Sequence, residues 1–338
     1  MSNYIHTINS LLCPQKQPHT RVIDLFAGCG GLALGFEAQG FVTHGYETDN
    51  DCVSTYNKNL HGQCNQICLE PTSNITVAPV VIGGPPCQPF SVGGNQLGLS
   101  DSRDGFPIFI SVIKRLQPEL WLFENVRGLL YRNKSYFAEI LQALEGLGYI
   151  VEYQLLNAVN YGVPQNRERV FVVGHRGVFN FPQPLRIRFT AGQALVDMAD
   201  MIPPESKFLT PSMDNYVAKY EKASFCIRPR DLYLDQPART LTCRNLAGAT
   251  GDMHRIQLPD GRRRRLLLRE AARLQSFPDN FDFCGSETSC FNQIGNAVPP
   301  MLAYHMAGAV HEYLKSTIRF SSHEIAHHTI PKQLALAI

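Results

Sequence analysis

The sequence predicts an α/β protein built on a doubly wound, mostly parallel sheet, with a second, smaller, loop-rich β domain attached. Two observations carry this expectation. From Arg21 to about Gly174, short apolar runs alternate with longer amphipathic ones, which is the rhythm of strand and helix in succession. From about Phe179 to Gly261 that rhythm stops, and proline, polar and basic residues take over with no long helical period.

The elements follow in order. "RVIDLFA", "FVTHGYE", "APVVIGG", "LWLFEN" and "RVFVVG" are short and apolar enough for buried strands, while "GLALGFEAQ", "VSTYNKNL", "IFISVIKRL" and "YFAEILQALEGLG" carry a helical period. In the second region "FPQPLRIRF" and "IPPESKFLTPS" read as loops, and the last part reads as a hairpin turned at Asp260-Gly261. "LLLREAARLQSF" is helical again, a Pro-Asp turn follows, and Pro299-Pro300 open a final helix. There is no internal repeat. The tail from about Ser316, with residues 321–338 at its end, is expected to be poorly ordered and its histidines solvated.

At 338 residues the chain has room for one large core and a smaller one. No apolar run approaches the roughly 20 residues that cross a bilayer, and the N-terminus lacks the features of a secretory signal, so the expected location is cytoplasmic. The ten cysteines are scattered without a CxxC pair, which favours reduced thiols over a disulfide frame or a structural metal. A net charge of +2 neither requires nor excludes a nucleic-acid partner.

Four stretches carry candidate chemistry. In "DLFAGCGGLALGF" a strand ends at Phe26, and Gly28, Gly30 and Gly31 permit a tight turn into a helix whose first amides can face a polar ligand. Glu47 ends the next strand, where an acid takes both hydroxyls of a ribose; NAD and S-adenosylmethionine are equally open at this point. In "GGPPCQPFS", two prolines after a strand hold Cys87 on a rigid loop at the ligand-bearing edge of the sheet. That is a place for a nucleophile, although a free cysteine is more often a small buried hydrophobe. Glu124 and Asn125 end a strand at the same edge, where a carboxylate is costly unless it meets water, a partner or a substrate; the bland reading is a helix cap or an ion pair with Arg127 or a neighbour. In "GVPQNRERVFVVG", Gln165, Arg167 and Arg169 alternate on entry to a strand and so share a face, which suits an anion.

Taken in order, Pro86-Cys87-Gln88, Glu124-Asn125-Val126, Gln165-Asn166-Arg167-Glu168-Arg169, "REAARLQSFPDNF" from Arg269 and "QIGNAVPP" from Gln293 resemble the motif set of the DNA (cytosine-5) methyltransferases. The likeness runs from about Arg21 to His311, leaving out most of the span where that family carries its variable target-recognition region. The resemblance implies the fold of S-adenosylmethionine-dependent methyltransferases. It also implies a discontinuous catalytic and cofactor-binding domain, residues 1–180 and 292–320, around a target-recognition domain at 181–291.

On this resemblance Cys87 adds to C6 of a flipped-out cytosine, Glu124 acts at N3 and the exocyclic amine, Arg169 positions and stabilises, and Arg167 and Gln165 brace the site. The methyl donor is S-adenosylmethionine, held by Phe26, Gly28, Gly30, Gly31, Glu47, Ile67, Pro86, Asn296, Ala297 and Val298, with no metal. The partner is double-stranded DNA. Gln96, Ser100 and Arg103 belong to a loop that closes over the base, and Thr240, Thr242, Arg244 and Asn245 are expected to read bases. Arg262 and Arg263, in the basic run 262–265, are expected at phosphates, against the plainer reading of a solvated face.

A compact recognition region suggests a monomeric prokaryotic modification enzyme, with a cognate restriction endonuclease implied by function and not as a bound partner. The chain departs from the family pattern twice: Gln66-Ile67 stand where an aspartate near the third strand is usual, and Leu267 where a threonine or serine is common. Three competing readings stand beside this one. They are the transfer-RNA branch that shares the catalytic set, whose Cys-Phe-Thr element is missing here, an inactive DNA-binding relative, and a hydride-transferring dehydrogenase.

Overall fold

The computed structural model describes residues 3–15, 20–86, 104–225, 230–248 and 251–319. Helix α1 (Asn3–Leu11) leads into β1 (Thr20–Leu25), α2 (Gly31–Ala38), β2 (Phe41–Glu47), α3 (Asn50–Asn59), β3 (Gln63–Gln66) and β4 (Val80–Gly83). Then come α4 (Phe106–Leu116), β5 (Leu120–Val126), the short α5 (Gly128–Tyr131), α6 (Lys134–Glu145), β6 (Ile150–Asn157), β7 (Gln165–Asn166) and β8 (Glu168–His175). The second region holds α7 (Ala191–Ala194), α8 (Pro211–Ala223), β9 (Ala238–Arg239), β10 (Arg255–Gln257) and β11 (Arg263–Arg265). The chain continues through α9 (Leu268–Leu274) and α10 (Glu287–Asn296) to α11 (Pro300–Arg319).

The main sheet has the order β3-β2-β1-β4-β5-β8-β6. Strands β1 to β5 pair in parallel, and β8 runs antiparallel between β5 and β6. Its inner strands are largely apolar on both faces because both are covered. Val22, Val80, Ile82, Leu122 and Phe171 face one core with α2 and α11, while Ile23, Val81, Trp121, Phe123 and Val172 face another with α4 and α6. Between β1 and β4 the strand order reverses, and a sheet of this kind leaves a crevice there beyond its carboxyl ends. Leu25 pairs with Gly83 and Gly83 with Phe123, so Phe26, Gly84 and Glu124 come level. Because β8 runs the other way, its beginning lies at this edge, with Arg169 opposite Val126.

The last helix returns to the first. A Cβ on Gly35 would lie 2.4 Å from the Tyr304 nitrogen, and one on Gly31 would lie 2.5 Å from the Val298 carbonyl oxygen, so α2 and the start of α11 meet backbone to backbone. Helix α1 docks nearby through buried Tyr4, Ile5 and Ile8, with buried Leu12 just past its end, and the Tyr4 hydroxyl donates to the Arg273 carbonyl at 2.5 Å. Helix α11 runs on past Ser316, where loss of order was expected, to Arg319; residues 320–338 lie outside the described part.

The second region corrects the expectation of a stretch without a long helix. Helix α8 spans 13 residues; the Thr210 side chain accepts from the Met213 amide at its start, and Pro211 occupies the first turn. The strands here are only two or three residues long. The hairpin is present, with β10 and β11 antiparallel and Gly261 at φ 85°.

The basic run is not a free charged face. Arg264 is fully buried and binds both carboxylate oxygens of fully buried Glu270, at 2.7 and 2.8 Å. Glu270 also accepts the Leu267 amide at 2.7 Å, so the carboxylate closes the start of α9 although leucine offers no capping oxygen. Glu270→Gln is expected to destabilise the fold by about 3–5 kcal/mol, because it strands a buried guanidinium. Replacing both partners, Arg264→Met with Glu270→Leu, should cost less than the single change. Urea midpoints of the two variants check the order.

His254 is buried in the same region. Burial first, and then the Arg239 guanidinium, push its imidazole down to about 3. Below the ordinary value of about 6.5 the unfolded chain takes a proton that the folded chain refuses, so stability falls with falling pH at about 1.4 kcal/mol per unit. That loss runs from about 6.5 down toward 3, and above 6.5 the stability is fully present. His254→Gln should flatten the decline; equal slopes between pH 7 and pH 4 for variant and parent would contradict this.

Candidate active site

A cleft of about 1250 Å3 opens at the carboxyl edge of the sheet. Phe26, Gly28, Gly31, Glu47, Ile67, Pro86, Glu124, Asn296, Ala297 and Val298 all line it. Phe26 leaves β1 in the left-handed region at φ 58°, a conformation strained for a bulky residue, and Gly28 and Gly30 follow at 54° and 89°. Gly30 does not line the cleft. Its Cβ position would lie 2.7 Å from Leu60 and 2.9 Å from Tyr56, so glycine serves close packing there.

Glu47 is held in place by backbone. One carboxylate oxygen accepts the Gly28 amide at 2.9 Å, and the other accepts Thr48 and Asp49 at 2.7 and 3.0 Å. Of about four acceptor positions on a carboxylate, about one is left for a ligand hydroxyl. Asp24, which the sequence reading passed over, is 1% exposed and lines the same cleft with Oδ2 unpartnered among the described residues. Burial, with the nearby Glu47 charge, pushes its carboxyl well up. Gln66 turns away and donates to the Thr48 carbonyl at 3.3 Å, and Ile67 takes the lining position.

On the opposite side, Glu124 is nearly buried and its Oε1 lies 2.8 Å from Arg169 Nε. Arg127 pairs with Glu168, so the ion pair of the bland reading forms with a neighbour, Arg169, and not with Arg127. Burial pushes the Glu124 carboxyl up, against the lowering pull of Arg169 and Arg167; burial likewise lowers Arg169, which Glu124 partly restores. A carboxyl so placed holds a proton more readily than an ordinary glutamate. Asn125 donates to the Pro85 carbonyl at 2.9 Å, and the Gly105 amide donates to Pro86 at 3.0 Å. The residues on either side of the segment 87–103 are therefore tied together at the rim of the cleft, beside Glu124. Cys87, Gln96, Ser100 and Arg103 lie outside the described residues.

The three alternating residues of the arginine motif do not share one target. Arg169 faces Glu124, whereas Gln165 and Arg167 turn inward between β7 and β8. Arg167 donates to the carbonyls of Leu241, Gly295 and Ala297 at 2.6, 3.1 and 3.0 Å, and Gln165 bonds Gln275, the Leu274 carbonyl and the Leu241 amide. Burial lowers the Arg167 guanidinium, and Arg169 adds to the effect. This hub ties the segment after β9 to the end of α10.

The description "C-5 cytosine-specific DNA methylase" matches residues 20–312. The chain belongs to that family. It is a DNA (cytosine-5) methyltransferase by that membership. The chain is 60% identical over 292 residues to the Type II methyltransferase M.AplI of Arthrospira platensis, covering 86% of this chain and 85% of the relative. It is 35% identical to the Type II methyltransferase M.FnuDI of Fusobacterium nucleatum, covering 87% and 95%. Among solved structures, the S. pombe Dnmt2 methyltransferase aligns at a TM-score of 0.66 with 17% identity, covering 89% of this chain and 99% of that one. At that identity the likeness speaks for the fold alone.

In this methyltransferase the segment named for base reading divides. Arg244 is exposed, and the Thr240 hydroxyl donates to the Asn166 carbonyl at 2.6 Å. Thr242 and Asn245 bond each other across a turn, and Asn245 is buried and donates to the Thr240 carbonyl, so Asn245 shapes the segment from inside. Arg262 pairs with Asp260 and stacks over Phe208, and Arg263 pairs with Asp214 and Asp231. Arg230, Arg239 and Arg244 instead converge on one carboxylate, Asp252. Sequence reasoning also missed Asp104, buried at the cleft and bonded by the Tyr136 hydroxyl.

Proposed function

We propose that the chain methylates C5 of a cytosine flipped out of a short, specific sequence in double-stranded DNA, through a covalent bond from Cys87 to C6. The observation that carries this reading is the placement of Glu124. Its carboxyl, whose proton affinity burial raises, lines the same cleft as Pro86, the residue before Cys87, and is held there by Arg169.

Cytosine C5 is a weak nucleophile because the ring delocalises its electrons. The Cys87 thiolate forms a bond to C6, and Glu124, donating at N3, lets the displaced electron pair build up at C5. Arg169 keeps that carboxyl in register as charge develops. When bound, S-adenosylmethionine supplies the methyl group that C5 takes. The C5 proton then passes to water, the C5–C6 double bond re-forms as the thiolate leaves, and the proton at N3 returns to Glu124.

The cleft suits that donor by its own groups. Asp24 presents an unpartnered acceptor fit for an ammonium, Glu47 keeps an acceptor for a ribose hydroxyl, and Phe26 and Ile67 supply apolar surface for a base. The target atoms are stacked inside a duplex, so the base has to leave the helix to reach Cys87. The Type II names of the relatives support a role as the modification enzyme of a restriction-modification system.

A duplex of mixed sequence in which 5-fluorocytosine replaces cytosine tests the covalent step. Fluorine at C5 is not lost as a proton is, so the bond to Cys87 persists after methyl transfer. Label from methyl-tritiated S-adenosylmethionine should appear in a protein–DNA species stable to denaturation. Turnover on ordinary duplex without any such species would overturn the adduct.

A further inference from the structure

We propose that Cys243 is a positioning residue through which the base-reading segment sets one wall of the cofactor cleft; this rests on the cofactor reading of that cleft. Among the described residues, Cys243 alone lines the cleft from the whole span between Arg127 and Gly285. It sits between Thr242 and exposed Arg244, inside the stretch expected to read DNA.

The contact it makes is specific. The sulfur lies 2.9 Å from Asn296 Oδ1 and 3.5 Å from the Asn292 carbonyl oxygen. A thiol has one proton, and the nearer amide oxygen is the better acceptor, so Asn296 is fixed with its NH2 turned away from the sulfur. Asn296 itself lines the cleft and is exposed there, and its one side-chain bond among the described residues is the one its oxygen accepts from Cys243. The NH2 is a donor left over for a ligand carboxylate, such as that of an amino-acid moiety. Burial pushes the Cys243 thiol up, which keeps the donating proton in place.

The surrounding geometry makes the contact stiff. A Cβ on Gly295 would lie 2.5 Å from the Cys243 nitrogen and 2.7 Å from the Thr242 carbonyl carbon. The Arg167 guanidinium holds the Leu241 carbonyl on one side and the Gly295 and Ala297 carbonyls on the other. The segment and the end of α10 thus pack backbone against backbone and are bonded to one guanidinium. A displacement of residues 241–244 on DNA therefore carries Asn296 with it, which links the two sites in both directions. Asp24, unpartnered and buried in the same cleft, marks this space independently as one that receives a ligand.

The test is the affinity for S-adenosylhomocysteine of the full chain, as wild type, Cys243→Ala and Cys243→Ser. Losing one hydrogen bond should weaken binding about fivefold in the alanine variant, while serine, which restores a donor, stays within about twofold of wild type. A second measurement uses Cys87→Ser protein and N-ethylmaleimide, with the modified peptides identified by mass. S-adenosylhomocysteine should slow labelling of Cys243. Equal affinity in wild type and Cys243→Ala, equal loss in both variants, or unchanged labelling of Cys243 would overturn the inference. A wild-type chain that binds no S-adenosylhomocysteine would instead overturn the cofactor reading, and this inference with it.

Discussion

Glu124→Gln is expected to lower kcat for methyl transfer by about 10²–10⁴-fold, the range that a positioned general acid supplies. The glutamine oxygen can still accept from Arg169 Nε, 2.8 Å away from Glu124 in the parent, so the pocket keeps its shape. What is lost is the proton at N3, and with it the electron flow that makes C5 nucleophilic. Because that interaction develops in the transition state, kcat and kcat/KM should fall together while KM for the methyl donor holds. Single-turnover rates with DNA in excess check this. A drop of less than tenfold would mean that the buried carboxyl is structural and that N3 is served from elsewhere.

Cys87→Ser should leave no detectable transfer. A serine hydroxyl gives up its proton far less readily than a thiol, whose ordinary pKa is about 8.5, so no comparable nucleophile forms at C6. Binding of S-adenosylhomocysteine should persist, since the groups proposed to hold it, among them Phe26, Glu47, Ile67 and the end of α10, are left unchanged. Loss of that binding would point to collapse of the loop and would leave the covalent role without support.

Much of the fold could be read in the sequence, for identifiable reasons. The inner strands of the main sheet are buried on both faces, so they appear as continuous apolar runs, and the turns beyond them carry the glycines and acids that a ligand edge requires. Strand β6, at the edge of the sheet, does not read as a buried strand because it is partly exposed on both faces, with Ile150, Tyr153 and Gln154 open to solvent and only Leu156 buried. Helix α1 was passed over although Tyr4, Ile5, Ile8 and Leu12 keep a helical spacing. Helix α8 announced itself by Thr210-Pro211, a cap followed by a proline in the first turn, but the prolines before it drew attention to loops.

At the site, composition conveyed the cast of residues but not their division of labour. Gln165, Arg167 and Arg169 share a period, yet the break between β7 and β8 sends two of them into the interior and only Arg169 to Glu124. The arginines at 262–265 looked like one phosphate-binding face because a sequence shows charge without its partners. The counter-charges of Arg262, Arg263 and Arg264 come from Asp214, Asp231, Asp260 and Glu270, and all four of these carboxylates are hydrogen-bonded to the arginines they face. Asp24 was missed because an acid inside a strand reads as part of an apolar run until its unpartnered oxygen is seen.

The measurement that bears most directly on the function is the position of the transferred methyl group. Purified protein, S-adenosylmethionine, a mixed-sequence DNA duplex and, in parallel, transfer RNA should be incubated and read at single-base resolution. The account predicts 5-methylcytosine in one short recurring duplex context, absent with Cys87→Ser. Methylation confined to the RNA, or on an atom other than C5, would contradict it.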